Sequence, residues 1–448
     1  MRKQFKIITA VVTAGALMLA LAGCFFDEKK TGRTPYEVAT ELGEARTEGE
    51  WLSEVIDGET MLHRLYKEAK ADGYEGSFVD FIKEIGYGDH SAAATNRALM
   101  SSVMVVNKFE RTKSETLFGG STESYTSMGS GIIYSLDREA GDAYVVTNYH
   151  VVYSAASSGK ESTPHISDSI TLYLYGGVIS SGKIAASYVG GAMQYDIAVL
   201  KVEGSEVLKN SSALAVTAGD SDAITVGERV YAVGNPEGEG FSVTSGVISV
   251  DAENIDVKLA DNSATVSMLE IRSDVAINHG NSGGGLFDAE GKLVGIVNAR
   301  SERTGVENFG YAIPSNLALS VAQNVIDNSK SNNSKGALRA RLGVTMEVSG
   351  SKGVFDEKTG KAYVMQTVRV VDVVAGSPAF GKLQEGDVFY SIKVGNGKEK
   401  IITRMYMLAP PLFDVRKGDK VEIVVARGEE TVTVVIEYND NSDFTVYN

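Results

Sequence analysis

The feature that most limits how this chain can fold is a series of short, evenly spaced β-type segments between about Ala98 and Asn328. "SVMVVNKF", "GSGIIYSL", "AYVVTN", "SITLYLY", "DIAVLKV", "RVYAVG", "SVTSGVISV" and "KLVGIVNA" are rich in Val, Ile, Tyr and Thr, with turn residues between them. Such spacing predicts a barrel or a sandwich and not a βαβ sheet. The 48 glycines and 20 tyrosines agree with a turn-rich β architecture. "NLALSVAQNVIDNS" predicts a helix that closes this region, and "KSNNSKG" (330–336) a linker. The remaining C-terminal stretch, about 338–448, reads as a separate, smaller β-rich unit. With 448 residues the chain has room for two or three such units.

The formal net charge of −15 argues against a nucleic-acid partner, because phosphate-backbone binding needs a basic face. Arg2, Lys3 and Lys6 form a basic start, and "IITAVVTAGALMLALAG" comes after them. That apolar stretch is too short and too rich in small residues for a membrane span. It ends in Leu21-Ala22-Gly23-Cys24, which resembles the lipobox of bacterial lipoproteins. The resemblance implies a signal peptide over 1–23 and a lipid on Cys24. It places the protein on the bacterial cell membrane, facing outside the cytoplasm. Cys24 is the one cysteine, so no disulfide forms within the chain and the fold must rely on its core.

Residues 24–34 read as a polar tether. Residues 35–90 hold a two-copy helical repeat: "YEVATELGEARTEGEWLSEV" from Tyr36 and "YKEAKADGYEGSFVDFIKEI" from Tyr66. Thr47 with Glu50, and Ser77 with Asp80, stand at capping-box spacing. Two readings stay open for this region, a spacer above the membrane or an assembly module.

Chemistry concentrates in "INHGNSGGGL" (277–286), where Ser282 stands in a run of glycines. A serine hydroxyl is a weak nucleophile and needs a base, which in turn needs an orienting group. There are five histidines: His63, His90, His150, His165 and His279. His150 follows "AYVVTNY", so it sits at a strand end where a rigid scaffold can aim it. Asp196 opens "DIAVLKV", and a carboxylate entering such a core needs a hydrogen-bonding partner such as an imidazole N–H. The order His150, Asp196, Ser282 is that of chymotrypsin-type triads. Gly280 and Ser282 are positioned to supply the two backbone N–H groups of an oxyanion hole, if the loop turns tightly. A Gly/Ser linker would explain the loop's composition equally well, but not its flanks, which read as strands.

"TNYHVV", "YDIAVLKV" and "INHGNSGGGLFDAEGKLVGIVNA" resemble the three catalytic blocks of the HtrA/DegP family of trypsin-like serine proteases. "GNPEGEGFSVTSGVIS" and "FGYAIPSN" fit the same pattern between and after them. The resemblance implies a mainly β protein with a chymotrypsin-like double six-stranded β-barrel protease domain over 95–329. His150 would be general base, Asp196 its orienter and Ser282 the nucleophile. At the position the family usually gives to proline stands His279, too close to Ser282 in sequence to act as its base; it reads as a rim residue. By resemblance Ala276 floors the S1 pocket and Asn298 and Ala299 form one wall, which favours uncharged, small or medium P1 side chains. Asp274 matches an acid of the family pattern and carries no specificity role.

After a linker at 330–338, residues 339–448 resemble the PDZ domain that follows the protease in this family. "RLGVTMEV" (341–348), "VVAGSPAFGKLQEGDVFYSI" and "KGDKVEIVVARGEETVTVVIEY" carry that resemblance. Leu342, Gly343 and Val344 match its carboxylate-binding loop, which would hold peptide C-termini at a sheet edge. "SGSKGVFDEKTGKAY" is longer than usual and reads as a hairpin beside that groove. The combined expectation is a lipid-anchored serine endopeptidase for unfolded or misfolded exported polypeptides. It would act as a homotrimer without metal or organic cofactor. The rivals are a non-cleaving peptide-binding chaperone on the same fold, and a processing protease for one surface protein.

Overall fold

The computed structural model describes residues 91–448, except 114–120, 158, 161, 178–181, 236–239, 299–308, 333 and 358, together with residues 67, 70, 71, 73 and 75. The expected signal peptide, the expected tether with Cys24, nearly all of the expected 35–90 repeat, and Ala299 lie outside the described residues.

The evenly spaced strands close into two six-stranded barrels. The first contains β1 (Ser102–Lys113), β2 (Ser121–Asp137), β3 (Asp142–Thr147), β4 (Ser169–Leu174), β5 (Ile184–Ala192) and β6 (Ile197–Val202). Their order is β1-β2-β3-β6-β5-β4, and antiparallel pairing of β4 with β1 closes the ring. The second contains β7 (Arg229–Gly234), β8 (Ser242–Lys258), β9 (Thr265–Ser273), β10 (Gly285–Phe287), β11 (Leu293–Val297) and β12 (Gly310–Pro314). Its order is β8-β9-β12-β11-β10-β7, closed by β7 against β8.

Strand periodicity decides which residues fill each barrel. In β1, Val103, Val105, Asn107 and Phe109 are buried, while Lys108 and Glu110 are exposed, the period of two that a pleated strand imposes. Val105, Val145, Leu172, Ile184 and Leu200 pack the first barrel. Val230, Ile248, Ile271, Leu286 and Val294 pack the second. A third cluster, with Ile132, Val146, Val199, Val233 and Ile296, joins the barrels and receives the helix α3 (Ser315–Asn332) that follows β12. The predicted closing helix is therefore present, and its apolar face fastens both barrels.

Two boundaries differ from the sequence pattern. Strand-like sequence begins near Ala98, yet Ser91–Met100 is a helix, α1, with Ala98 and Leu99 buried. Serines stop it: the Ser101 and Ser102 hydroxyls both donate to the Ala98 carbonyl, one of the acceptors a helix end leaves over. Past the barrels, α3 runs on to Asn332 and a strand, β13 (Ala337–Ala340), follows. Only 333–336 of the expected linker lie between elements.

The C-terminal unit has a six-stranded sheet. It contains β14 (Val344–Asp356), β15 (Lys361–Val373), β16 (Val388–Val394), β17 (Lys400–Ile401), β18 (Lys420–Arg427) and β19 (Glu430–Glu437), with the short helix α4 (Ala409–Asp414) before β18. The order is β14-β15-β16-β18-β19, with β17 on β16, so β14 is an edge strand. "SGSKGVFDEKTGKAY" is the outer half of the β14–β15 hairpin, in register from Gly350↔Thr367 to Asp356↔Lys361. Its Lys361 Nζ lies 2.7 Å from Glu228 Oε1 of the second barrel. The last strand, β20 (Phe444–Tyr447), pairs with β13.

The C-terminal unit grips the barrels through aromatic contacts and buried polar bonds. Tyr195, beside β6, meets the rings of Phe413 and Tyr447 edge-on at 5.0 and 5.2 Å. Its hydroxyl accepts from Arg339 at 2.5 Å, and burial pushes its phenol pKa up, so the ring stays neutral. Asn324 of α3 donates to the Phe413 and Leu338 carbonyls at 2.6 and 2.8 Å. Arg404, nearly buried, is 2.7 Å from Asp251 of β8. Phe413 is fully buried at the centre of this junction. Phe413→Ala is expected to cost about 3–5 kcal/mol, the range for truncating a buried Phe. A fall in the urea midpoint of the full chain checks this.

Candidate active site

His150 lies in one turn of helix, α2 (Tyr149–Val152), entered directly from β3. Asp196 follows a 3-10 turn over Met193–Tyr195 and precedes β6. Since β3 pairs with β6, with Thr147 opposite Ala198, the two residues leave the same end of one strand pair. Asp196 adopts φ 50°, ψ 38°, a left-handed conformation that short polar side chains tolerate better than most. That twist turns the carboxylate back toward β3.

Asp196 then takes four hydrogen bonds from three consecutive residues. Its side chain accepts from the His150 backbone N–H on Oδ1 at 2.9 Å and from the ring Nδ1–H on Oδ2 at 2.6 Å. Its carbonyl accepts from the Tyr149 N–H and from Asn148 Nδ2, both at 3.0 Å. The carboxylate side chain is 8% exposed and the imidazole 16%. Burying a carboxylate is costly unless it is hydrogen-bonded, and bonds to the charged form are the strong ones. The Nδ1–H bond fixes the tautomer and leaves Nε2 as the basic nitrogen on the far side of the ring. Behind His150, Tyr149 and Tyr188 meet edge-on at 6.4 Å. Burial pushes both phenols up, so this wall carries no charge.

Ser282 is 6% exposed and precedes β10 of the second barrel. Its loop is pressed against the strand end that carries His150. A Cβ on Gly283, where φ is +82°, would overlap Thr147 Oγ1 and stand 3.1 Å from the Asn148 nitrogen. A Cβ on Gly129 would meet both the Val151 methyl groups, at 2.7 and 2.8 Å, and the Ser282 carbonyl, at 3.3 Å. The approach of one barrel to the other requires glycine at 283, while at 129 the overlap is chiefly with Val151 of the same barrel and the Ser282 carbonyl adds a tight contact. The fold thus brings the neighbourhoods of His150, Asp196 and Ser282 to one place between the barrels.

Gly280 has φ +96° and makes the tight turn expected before the serine. His279 is exposed, in keeping with a rim position. Ala276 is exposed as well, and its carbonyl accepts from Thr244. Asp274 accepts the Val247 N–H at 2.6 Å, which gives this acid a structural task. Asn298 is buried; its N–H donates to the Tyr311 carbonyl, and its side chain is turned to the buried Glu270 at 2.9 Å. In the C-terminal unit, Leu342 is buried and Gly343 has φ +75°. A Cβ on Gly343 would overlap Ser377 Cβ, so the fold itself demands glycine there.

Sequence reasoning missed several supporting residues. Asn148 is one, and "TNYH" gave no sign of its bond to the Asp196 carbonyl. His165 is another. With φ 66°, its Nδ1–H donates to the Ser157 carbonyl at 2.5 Å and its ring stands 5.7 Å from Tyr153, bracing the loop after α2.

Two closed barrels, with an Asp–His pair and a buried serine between them, define the trypsin-like class of serine peptidase. Residues 129–296 match the family described as "Trypsin-like peptidase domain". The chain is 34% identical over 318 residues to "Serine protease Do-like HtrB" of Bacillus subtilis (strain 168), covering 68% of this chain and 60% of that protein. It is 30% identical to "Serine protease Do-like HtrA" of the same organism, covering 78% of this chain and 72% of the relative. For "Serine protease Do-like HtrA" of Lactococcus lactis subsp. cremoris (strain MG1363) the identity is again 30%, over 77% of this chain and 82% of the relative. The solved structure "HtrA-type protease AlgW with decapeptide" superposes with a TM-score of 0.47 at 27% identity, covering 80% of this chain and 99% of that one. The chain belongs to the HtrA/DegP family of trypsin-like serine proteases.

Proposed function

We propose that the protein is an endopeptidase that forms an acyl-enzyme on Ser282. His150 Nε2 takes the hydroxyl proton as Ser282 Oγ bonds to the scissile carbonyl carbon. The oxyanion that forms faces the N–H groups of Gly280 and Ser282. His150 then returns the proton to the leaving amine as the C–N bond breaks. Water, deprotonated by the same nitrogen, then adds to the acyl carbon, and His150 passes that proton to Ser282 Oγ as the Oγ–C bond breaks and the acid leaves. Asp196 keeps the ring in the productive tautomer and stabilises the imidazolium without taking the proton itself. The observation that carries this reading is the Asp196–His150 pair, which holds both the backbone and the ring of the proposed base.

The proposed substrates are unfolded or misfolded exported polypeptides, bound as extended strands. Ala276, Asn298 and Ala299 line S1 in this reading, and a small or medium apolar side chain enters it. The C-terminal unit acts as a PDZ-like domain. Its edge strand β14, beginning after Leu342 and Gly343 with Val344, offers unpaired backbone to a peptide C-terminus. Lipid on Cys24 tethers the protein outside the cytoplasmic membrane, and the protease domains assemble as a homotrimer. Among the described residues no helix is long and apolar enough to cross a membrane.

A fluorophosphonate probe with unfolded casein as substrate tests the catalytic reading. Expected is one label per chain, on Ser282, with hydrolysis lost in proportion to labelling. Undiminished turnover by fully labelled protein would overturn it.

A further inference from the structure

We infer that Ser130 is a positioning residue that fixes the oxyanion loop from the opposite barrel; this rests on the catalytic reading above. Ser130 lies in β2, is fully buried, and stands in the unremarkable tripeptide Gly129-Ser130-Gly131. All of its polar atoms are engaged. Its N–H donates to the Ser282 carbonyl at 2.8 Å. Its carbonyl accepts from Thr147 Oγ1 at 2.6 Å. Its Oγ accepts the Asn235 N–H at 2.9 Å and donates to the Gly280 carbonyl at 2.7 Å. The Asn235 bond occupies Oγ as an acceptor, so the hydroxyl proton is directed at Gly280.

Peptide planarity turns these contacts into a constraint on the loop. A planar trans peptide with both its C=O and its N–H bonded cannot rotate without breaking one of them. The 280–281 peptide is held by Ser130 Oγ at its carbonyl and by the Asn278 carbonyl at its N–H, at 2.7 and 3.1 Å. The 282–283 peptide is held by the Ser130 N–H and by the Val297 carbonyl, at 2.8 and 3.0 Å. Between them, the Asn281 carbonyl accepts from Gly284 at 2.9 Å, which directs the Ser282 N–H to the opposite side. Ser130 therefore clamps two of the three planes on either side of the nucleophile. The remaining freedom is the hinge at Gly280, where φ is already +96°. Without the hydroxyl, the Gly280 carbonyl loses the bond that keeps this hinge in place.

The touching groups come from both barrels: Thr147 from the first, Asn235, Gly280 and Ser282 from the second. One buried serine couples the strand that leads to His150 with the loop that presents Ser282. A residue of this kind acts on kcat, because it touches neither the substrate nor the ring of the base.

The test uses the full chain and three proteins: wild type, Ser130→Ala and Ser130→Cys. Measured are kcat and KM on an unstructured peptide, the Ki of a peptide boronate that forms a tetrahedral adduct, and the melting temperature. Ser130→Ala is expected to lower kcat about 10²-fold, at the lower end of the loss for an oxyanion donor, with KM within about twofold. The boronate Ki is expected to rise by a similar factor. Ser130→Cys, with a weaker donor of similar shape, is expected to recover part of both. If Ser130→Ala melts too low to assay, the Ser130→Cys kcat and boronate Ki decide alone. Wild-type kcat and boronate affinity in whichever variant folds would overturn the inference. Absence of activity in fluorophosphonate-sensitive wild type would instead overturn the catalytic reading.

Discussion

Ser282→Ala is expected to lower kcat on unfolded casein about 10⁶-fold, the scale on which a triad nucleophile acts. The fold should survive the change. The bond that seats this residue on the first barrel uses its backbone carbonyl, accepting from the Ser130 N–H, and alanine keeps that carbonyl. The packing glycines on either side of the interface are also untouched. Wild-type and variant melting curves should therefore coincide while hydrolysis disappears. Equal turnover by the two proteins would remove Ser282 from the mechanism. A binding role would be expected to persist in the variant, so retention of unfolded casein on immobilised Ser282→Ala distinguishes lost chemistry from lost recognition.

Asp196→Asn is expected to lower kcat about 10⁴-fold with little change in stability. The reason lies in how the two side-chain oxygens are used. One accepts the His150 backbone N–H and the other the ring Nδ1–H. An amide has a single oxygen. If that oxygen serves the backbone N–H, the amide NH₂ faces Nδ1 and forces the ring into the tautomer protonated on Nε2. The nitrogen meant to receive the serine proton is then already occupied. Asparagine tolerates the left-handed backbone at this position, and the carbonyl bonds to Tyr149 and Asn148 are retained. Steady-state kinetics beside a urea titration check both halves. Kinetics unchanged within about tenfold in a variant of native stability would refute the orienting role.

The parts legible in the sequence were those set by local pattern. The barrel strands announced themselves because alternate residues must point in and out of a barrel. Asp196 stood out because a carboxylate opening an apolar strand calls for a partner. Gly280 was readable as a turn residue, and its φ is positive. What stayed hidden was set by contacts distant in sequence. Ser130 looks like polar filler in a glycine pair, yet its bonds reach Asn235 and Gly280, 105 and 150 positions away. The helix at Ser91–Met100 was masked because Ala98 and Leu99 merge by eye with the strand after them. Gly343 was read for access to a ligand, whereas its nearest steric reason is Ser377. Strand β20 has a strand-like composition, but its pairing with β13 had no local signal, since the two stand at opposite ends of the C-terminal unit in sequence.

Met193, three residues ahead of Asp196, donates its N–H to the Asn448 carbonyl at 3.0 Å, and Gly191 donates to Lys335 at 2.8 Å. Together with the rings around Tyr195, these bonds make the segment ahead of the acid a shared possession of both halves of the chain. Ending the polypeptide at Asn332 would strip that segment of Phe413, Tyr447 and both carbonyl acceptors, and leave Asp196 held by its bonds to residues 148–150.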